Sequence, residues 1–223
     1  MTSWQALEGR FRQPDATTCG SSCLVMARML LDADFATRIV DGRDPATGAR
    51  RGGTAEERFA AAAADMHART NAFSFRGGFH LPWPKALGTT PAAVARQLAR
   101  DERAAGLGPS RRRVRWVVAP SCRDDAYGAV LRAVRQGWVA PVFCFGVGAN
   151  LRHCGAHVVL AVAADGDDLR AYEPQSGRVV AFNRSDFTAG TLSASLGWDW
   201  PLAVVLPGLD RPPTPPARLM RNR

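Results

Sequence analysis

Lysine is almost absent from this chain. Lys85 is the single lysine, although lysine and arginine together number 29 against 20 acidic residues, for a formal net charge of +9. A basic balance suits nucleic acid, an anionic membrane surface or an acidic partner. The arginines are nevertheless spread along the whole sequence, and the densest group, Arg111 to Arg113 with Arg115, adjoins an apolar segment and is predicted to be a solvated edge. We therefore expect no nucleic-acid partner.

Long apolar runs and a secretory start are also missing. No run approaches the roughly 18 to 20 apolar residues that cross a bilayer. The start Met-Thr-Ser-Trp-Gln has no charged segment followed by an apolar one, and the odd number of cysteines, 5, does not suit a disulfide-framed secreted domain. We expect a cytoplasmic protein without a membrane span, made in a reducing compartment; export by a signal-free route stays open.

The cysteines also lack the spacing of common zinc sites. Structural zinc is typically held by paired C-x-x-C knuckles, and the chain contains none. His153, Cys154 and His157 do lie close together, and Cys122 or Cys144 is a conceivable further ligand. Zinc is kept as the weaker alternative, and we expect no metal and no organic cofactor.

The order of the predicted elements indicates an α+β fold. Helical patterns come first, and the capping box Thr54-Ala-Glu-Glu57 and the pair Thr90-Pro91 mark two helix starts. Short apolar strands joined by turns follow, and helices before a mostly antiparallel sheet are typical of α+β proteins. The first predicted helix begins at 18 or 19 and ends at 31, and the others are 54–70, 90–105 and 126–136. The predicted strands are 114–119, 140–145, 158–163, 169–172, 179–182 and 202–206.

The length of 223 residues suits one domain with decorations. We assign residues 1–206 to this domain, which includes an exposed Gly-rich and Arg-rich loop at 41–53. The segment 207–223 contains five prolines and four arginines and is predicted to be a disordered tail.

A cysteine stands at the start of the first predicted helix, six positions after a glutamine. In the first turn, unpaired backbone N–H groups and the positive end of the helix dipole favour a thiolate at Cys19. The side-chain NH2 of Gln13 and the backbone N–H of Cys19 would form a two-donor oxyanion hole. A cysteine near an apolar helix is more often a packing residue than a nucleophile, and Cys23 is expected to be one. The assignment of Cys19 therefore depends on partners elsewhere.

Such partners lie in the second half of the chain. His157 precedes the apolar strand Val-Val-Leu-Ala-Val, where we expect an imidazole exposed at the sheet edge, and Glu173 ends the next strand. Two strands joined by a short turn would bring Glu173 back beside His157, where a carboxylate would orient the imidazole and stabilise its charged form. His67 and His80 lack a following strand and carboxylate, so we expect structural or surface roles for them.

The pattern Gln-x5-Cys-Gly-x-x-Cys-Leu-x-Met, followed downstream by Pro-Val, His-Val-Val-Leu and an acidic residue with Pro and Gly, resembles the bacteriocin-leader-processing cysteine peptidases. The resemblance covers Gln13 to Leu31 and about 127–206, and Gly88 to Pro91 also matches. It implies a papain-like cysteine protease fold, in which an N-terminal helical part carrying the nucleophile helix packs on a mostly antiparallel sheet carrying the histidine.

The resemblance implies that Cys19 is the nucleophile, His157 the general base, Gln13 the oxyanion donor and Glu173 the third member. The family usually has aspartate at the last position, so Gln175 is an alternative orienter of the imidazole. The segment from about 35 to 87 has no counterpart in the family, and transporter segments are absent.

The expected function is hydrolysis of a peptide bond in a peptide or protein substrate. The same four residues would also serve a side-chain deamidase, of an effector or toxin kind, or a transpeptidase, because only the leaving group and the acceptor differ. A non-catalytic peptide-binding module of the same fold is the alternative from another class.

Overall fold

The second half of the chain supplies a six-stranded antiparallel sheet. The computed structural model describes residues 9–72, 74–75, 78–79, 88–107, 111–117, 119–146 and 155–208. Its strands are β1 (Ser74–Phe75), β2 (Gly78–Phe79), β3 (Arg112–Trp116), β4 (Ala140–Gly146), β5 (Gly155–Asp165), β6 (Asp168–Glu173), β7 (Arg178–Phe182) and β8 (Trp200–Pro207). The order of the six-stranded sheet is β3-β8-β4-β5-β6-β7, and the short strands β1 and β2 pair with each other in a two-stranded sheet.

The first half of the chain is mainly helical. Its helices are α1 (Cys19–Leu31), α2 (Ala33–Val40), α3 (Ala55–Thr70) and α4 (Pro91–Ala104), and the second half adds α5 (Pro120–Arg135), α6 (Arg184–Ala189) and α7 (Ser193–Leu196). With the antiparallel sheet, these elements make an α+β fold, which confirms the predicted class.

The sheet separates two hydrophobic clusters. Side chains alternate between the faces of a strand, and β5 shows this directly: Val158 and Leu160 join the cluster formed with α1 to α4, whereas Val159 and Ala161 join the cluster formed with α5. Helix α1 packs on α3, α4 and β5. This packing places the N-terminal end of a buried helix against the strand that carries His157.

Most predicted elements are present with small changes at their ends. The helix α1 has the predicted bounds, the capping box of Thr54 and Glu57 starts α3, and Thr90 caps α4 by accepting a hydrogen bond from the N–H of Ala93. The turns at 165–167 and 175–177 join β5 to β6 and β6 to β7 as antiparallel hairpins. These starts and turns were predictable because each has a local hydrogen-bonding signature.

Several short elements differ from the prediction. The helices α2, α6 and α7 were not predicted; the N-cap Asp32, which accepts from the Phe35 N–H at 2.9 Å, was the available signal for α2. The strand predicted at 114–119 lies at Arg112–Trp116 instead, because Pro120 begins α5 six residues before the expected start of that helix.

The prediction of a solvated arginine edge is wrong at one residue. Arg112 and Glu102 form an ion pair whose two side chains are fully buried, and Arg112 also donates to the Val139 carbonyl at 2.8 Å. The neighbouring Arg113 is exposed on the edge strand β3. An arginine that points inward from an edge strand can be buried when a buried carboxylate neutralises its charge.

Within the part of the chain that the structure describes, no helix has the length and apolar character needed to cross a membrane. Nearly all of the predicted disordered tail, from residue 209 onward, lies outside the described residues.

Candidate active site

The hairpin of β5 and β6 brings His157 and Glu173 into contact. The Nε2 atom of His157 lies 2.8 Å from the Oε1 atom of Glu173, and both side chains are buried. His157 is the third residue of β5, an interior strand, and is only 3 % exposed, so the prediction of an exposed imidazole at the sheet edge is wrong. The imidazole therefore lies in a shielded environment, where a charged partner has a large effect.

The turn after β6 holds the Glu173 carboxylate in place. The backbone N–H of Gln175 donates to Oε1 at 2.8 Å, and that of Ser176 donates to Oε2 at 2.7 Å. Burial acts to raise the pKa of Glu173, but hydrogen bonds from His157, Ser176 and Gln175 outweigh it and lower the pKa to about 2. The Gln175 side chain is exposed, and this residue contributes its backbone N–H to the carboxylate. Glu173 is thus ionised and is the group that contacts His157.

Cys19 contacts the other side of the imidazole. Burial acts to lower the pKa of His157, but hydrogen bonds to the Cys19 side chain and to Glu173, together with the electrostatic interactions with both groups, raise the pKa to about 9. Because Glu173 occupies Nε2, Nδ1 is the ring nitrogen that remains for Cys19. A protonated His157 therefore lies between a carboxylate and the sulfur.

No side chain caps the N-terminal end of α1, where Cys19 lies. Cys19 is the first residue of the helix, and the preceding residue, Thr18, makes no side-chain capping bond. The Thr18 hydroxyl donates instead to the Asp15 carbonyl at 3.1 Å. The N–H of a residue at the first helical position has no carbonyl partner within the helix. The backbone N–H of Cys19 is therefore a donor beside the Cys19 sulfur. Cys19 is 4 % exposed.

Two other cysteines near this site are packing residues. Burial is the main cause that raises the pKa of the Cys23 thiol well above its ordinary value, and it raises the pKa of Cys144 to about 12. The Cys23 sulfur donates to the Val158 carbonyl at 3.3 Å. Both remain neutral thiols near pH 7. Cys23 is fully buried, as predicted.

Gln13 belongs to the segment 9–13, here called the strap, which lies along the turn that follows Glu173. Its backbone N–H donates to the Pro174 carbonyl at 2.7 Å, and its side-chain Nε2 donates to the Asp15 carbonyl at 2.8 Å. One N–H of the amide is therefore held by the loop before α1, and the second remains for another acceptor. The predicted role of Gln13 as an oxyanion donor stays a prediction.

A tyrosine ties this strap to the sheet. The buried hydroxyl of Tyr172, next to Glu173 on β6, donates to the Phe11 carbonyl at 2.8 Å. The N–H of Gly9 donates to the Gly177 carbonyl at 2.8 Å. The segment that carries Gln13 is thus fixed to the same turn that fixes the carboxylate.

We expect Tyr172→Phe to loosen the strap. The substitution leaves the Phe11 carbonyl without its hydroxyl donor, which costs about 1 to 2 kcal/mol of unfolding free energy. Amide hydrogen exchange at Gln13 should become about tenfold faster. Tyr127→Phe is the matched control, because the Tyr127 hydroxyl also donates to a carbonyl, that of Asp167 at 2.7 Å, but lies in the cluster on the other face of the sheet. Equal exchange at Gln13 in both variants would contradict the role of Tyr172.

Trp198 covers the imidazole and was not identified from the sequence. Its ring is stacked on that of His157, with centroids 5.1 Å apart and an interplanar angle of 11°. Trp198 follows α7 in an irregular segment, and a side chain at Gly146 would come within 3.0 Å of its ring. Trp198 is not part of a periodic sequence pattern, so its contact with His157 is seen only in the three-dimensional structure.

Trp198→Ala should lower the unfolding free energy by about 2 kcal/mol, because it removes a partly buried aromatic stack. It should also open His157 to solvent. Chemical denaturation measures the loss, with Trp116→Ala as the control: Trp116 is 56 % exposed, so its replacement should cost less than about 1 kcal/mol. Similar losses in the two variants would show that the stack contributes nothing.

The remaining candidates from the sequence lie elsewhere. His67 is buried in α3, as a structural histidine would be. His80, His153 and Cys154 lie outside the described residues. Within those residues, no group of three or more histidine, cysteine or acidic side chains is arranged to hold a metal ion.

The chain was compared with known proteins. No protein-family model matches it, and no curated protein sequence matches it either.

Proposed function

We propose that the protein is a thiol amidohydrolase that cleaves peptide bonds with Cys19 as the nucleophile. The observation that carries the proposal is the chain of contacts in which the His157 imidazole hydrogen-bonds the Cys19 side chain and its Nε2 binds Glu173 at 2.8 Å. A nucleophile, a base and an orienter linked in this order are the signature of covalent catalysis.

In the proposed reaction, His157 already holds the proton of Cys19 when the substrate binds. The thiolate attacks the substrate carbonyl carbon, a C–S bond forms, and the carbonyl oxygen takes the negative charge. As the C–N bond breaks, the imidazolium donates its proton to the leaving amine. His157 then removes a proton from water, the hydroxide adds to the thioester, and the acid leaves as Cys19 is released.

The oxyanion would be held by backbone and amide donors. The N–H of Cys19, at the uncapped start of α1, and the second N–H of the Gln13 amide are the two groups that we assign to it. Each such donor contributes about 10² to 10³ in rate in related chemistry. Binding of the strap to the Glu173 turn supports this assignment, because it holds Gln13 in register with the catalytic hairpin.

The proposal includes a papain-like arrangement of the fold. Its support is the packing of α1, with Cys19 at its first residue, against the antiparallel sheet whose β5 carries His157. It also includes a peptide or protein substrate and a cytoplasmic location. Free thiols at Cys19, Cys23, Cys122 and Cys144 suit a reducing compartment.

The products distinguish peptide hydrolysis from deamidation and transpeptidation. Purified protein is incubated with a mixture of peptides and unfolded proteins, and mass spectrometry reads the outcome: chain scission supports a peptidase, a gain of about one mass unit at Gln or Asn without scission supports a deamidase, and a joined peptide supports a transpeptidase.

Two cysteine variants make this experiment decisive. Cys19→Ala should remove all product, whereas Cys122→Ala replaces an exposed thiol on α5 and should retain it. Product that survives Cys19→Ala, or the absence of product from the wild-type protein, would contradict the proposal and favour a peptide-binding module.

A further inference from the structure

A cavity of about 640 Å³ lies among α1, α2, α3 and the loop at residues 51–53, and none of its lining residues belongs to the Cys19 site. Its lining includes five arginines and two acids. The volume is typical of sites for small molecules. The arginines are Arg28, Arg38, Arg51, Arg58 and Arg69, and the acids are Glu57 and Asp65.

Two of these arginines have structural partners. Arg58 donates to the carbonyls of Ile39 and Val40, each at 2.8 Å, and to that of Gly53, so it holds the loop to α2. Arg69 forms an ion pair with Asp65. Their charges add to the positive potential of the cavity, but their hydrogen-bond donors are largely used by the protein.

Arg28 and Arg38 are not satisfied in the same way. Both guanidinium groups lie 3.9 Å from one carboxylate oxygen, Oδ2 of Asp32, which is beyond hydrogen-bond distance. Both also lie over the ring of Phe35, at 4.2 and 5.9 Å from its centroid, and both are only partly exposed. The Asp32 carboxylate is therefore shared by two half-buried cations and by the N–H of Phe35, and the buried Asp101 carboxylate also interacts electrostatically with Arg28.

A third arginine stands at the mouth of the cavity. The backbone N–H of Arg51 donates to the Gly42 carbonyl at 2.6 Å, which fixes its position, and its exposed side chain forms no ion pair within the described residues. The two acids do not balance the five arginines of the lining, and one of them, Asp65, is already paired with Arg69.

The floor of the cavity is apolar. It is formed by side chains of α1, α2 and α3, namely Val25, Phe35, Ile39, Ala62 and Met66. A ligand that fits both the floor and the mouth has an apolar body and an anionic group, because guanidinium groups match carboxylate and phosphate in shape and charge.

We propose that this cavity binds a small organic anion, with a carboxylate or phosphate group held by Arg28, Arg38 and Arg51 and an apolar body on the floor. The site is separate from the proposed catalytic centre. It lies on the nucleophile helix itself, since Val25 and Arg28 follow Cys19 by six and nine residues, or about 9 and 13 Å along the helix.

Isothermal titration calorimetry of the full chain tests the proposal with three probes. Phenyl phosphate and phenylacetate carry an anionic group on an apolar ring, and benzyl alcohol is the neutral probe. At least one anionic probe should bind, and which one binds distinguishes a phosphate ligand from a carboxylate ligand. Failure of both anions to bind at up to about 10 mM, or equal binding of benzyl alcohol, would overturn the proposal.

Matched variants locate the binding. Arg51→Gln removes no described contact, so it should fold normally, and it should weaken binding about tenfold or more; Arg38→Gln should do the same. Arg113→Gln, which replaces an exposed arginine on β3, should bind like the wild type. An equal affinity in all four proteins would place the anion elsewhere and overturn the assignment.

Discussion

Replacing His157 by alanine is expected to slow the alkylation of Cys19 by iodoacetamide at pH 6 by on the order of 100-fold. An ordinary cysteine, with a pKa of about 8.5, is ionised in only about one molecule in 300 at this pH. In the wild-type protein the His157 imidazole, whose pKa is raised to about 9, hydrogen-bonds the Cys19 side chain. A cation beside a sulfur favours the ionised form of a thiol. Loss of the imidazole removes that stabilisation.

The same sample contains a control for this rate. Cys122 is an exposed free thiol on α5, away from the candidate site, and peptide-resolved mass spectrometry reports both cysteines at once. Wild-type Cys19 should react faster than Cys122 at pH 6, and only the Cys19 rate should change in the variant. If Cys19 reacts no faster than Cys122 and is insensitive to His157→Ala, it is a core residue.

Glu173→Gln should lower the unfolding free energy near pH 6 by about 3 to 5 kcal/mol. The variant keeps the shape of the side chain but removes the charge that faces His157. It also directs an amide NH2 at a position where Glu173 now accepts hydrogen bonds from His157, Gln175 and Ser176. A buried donor that faces another donor is among the costlier defects in a protein interior.

The pH dependence of this loss follows from the two pKa values. The pKa of Glu173 is lowered to about 2, so its contribution is present above its unfolded value near 4.5 and is lost as the pH falls through 2. The pKa of His157 is raised to about 9, so its contribution is present below 6.5 and is lost as the pH rises through 9. The difference between wild type and Glu173→Gln should therefore be largest between about pH 4.5 and 6.5.

Urea denaturation across this pH range measures the difference. Glu56→Gln is the control, because Glu56 is exposed and its ion pair with Arg10 lies at the surface, so the change should stay within about 0.5 kcal/mol. A loss for Glu173→Gln that is small, or equal at pH 3, 6 and 10, would show that the carboxylate does not stabilise a charged His157.

Local signals predicted the start of α1 and the pairing of His157 with Glu173. The periodicity of the apolar residues predicted the helix, and the short turn between β5 and β6 predicted that Glu173 returns beside His157. The two residues are not directly opposite in the ladder, because Leu160 pairs with Tyr172. Both depend on interactions between residues near in sequence. The contact between His157 and Glu173 could therefore be predicted without knowledge of the tertiary fold.

The environment of these residues could not be predicted in the same way. The sequence indicated an exposed imidazole, but Trp198, forty-one residues further on, covers it. The link from Tyr172 to the Phe11 carbonyl spans 161 residues and has no motif. Burial of Arg112 likewise depends on Glu102 in another element. Such features are set by how elements pack, which short-range patterns do not record.

An NMR titration of the His157 imidazole, in the wild-type protein and in Cys19→Ala, tests whether Cys19 and His157 form one acid-base pair. The chain has only four histidines, so His157→Gln assigns the signal. We expect titration near pH 9 in the wild type and a fall to below about 8 in Cys19→Ala, because the Cys19 side chain no longer interacts with the imidazole. Titration near 6.5 in the wild type, or an unchanged value near 9 in Cys19→Ala, would contradict it.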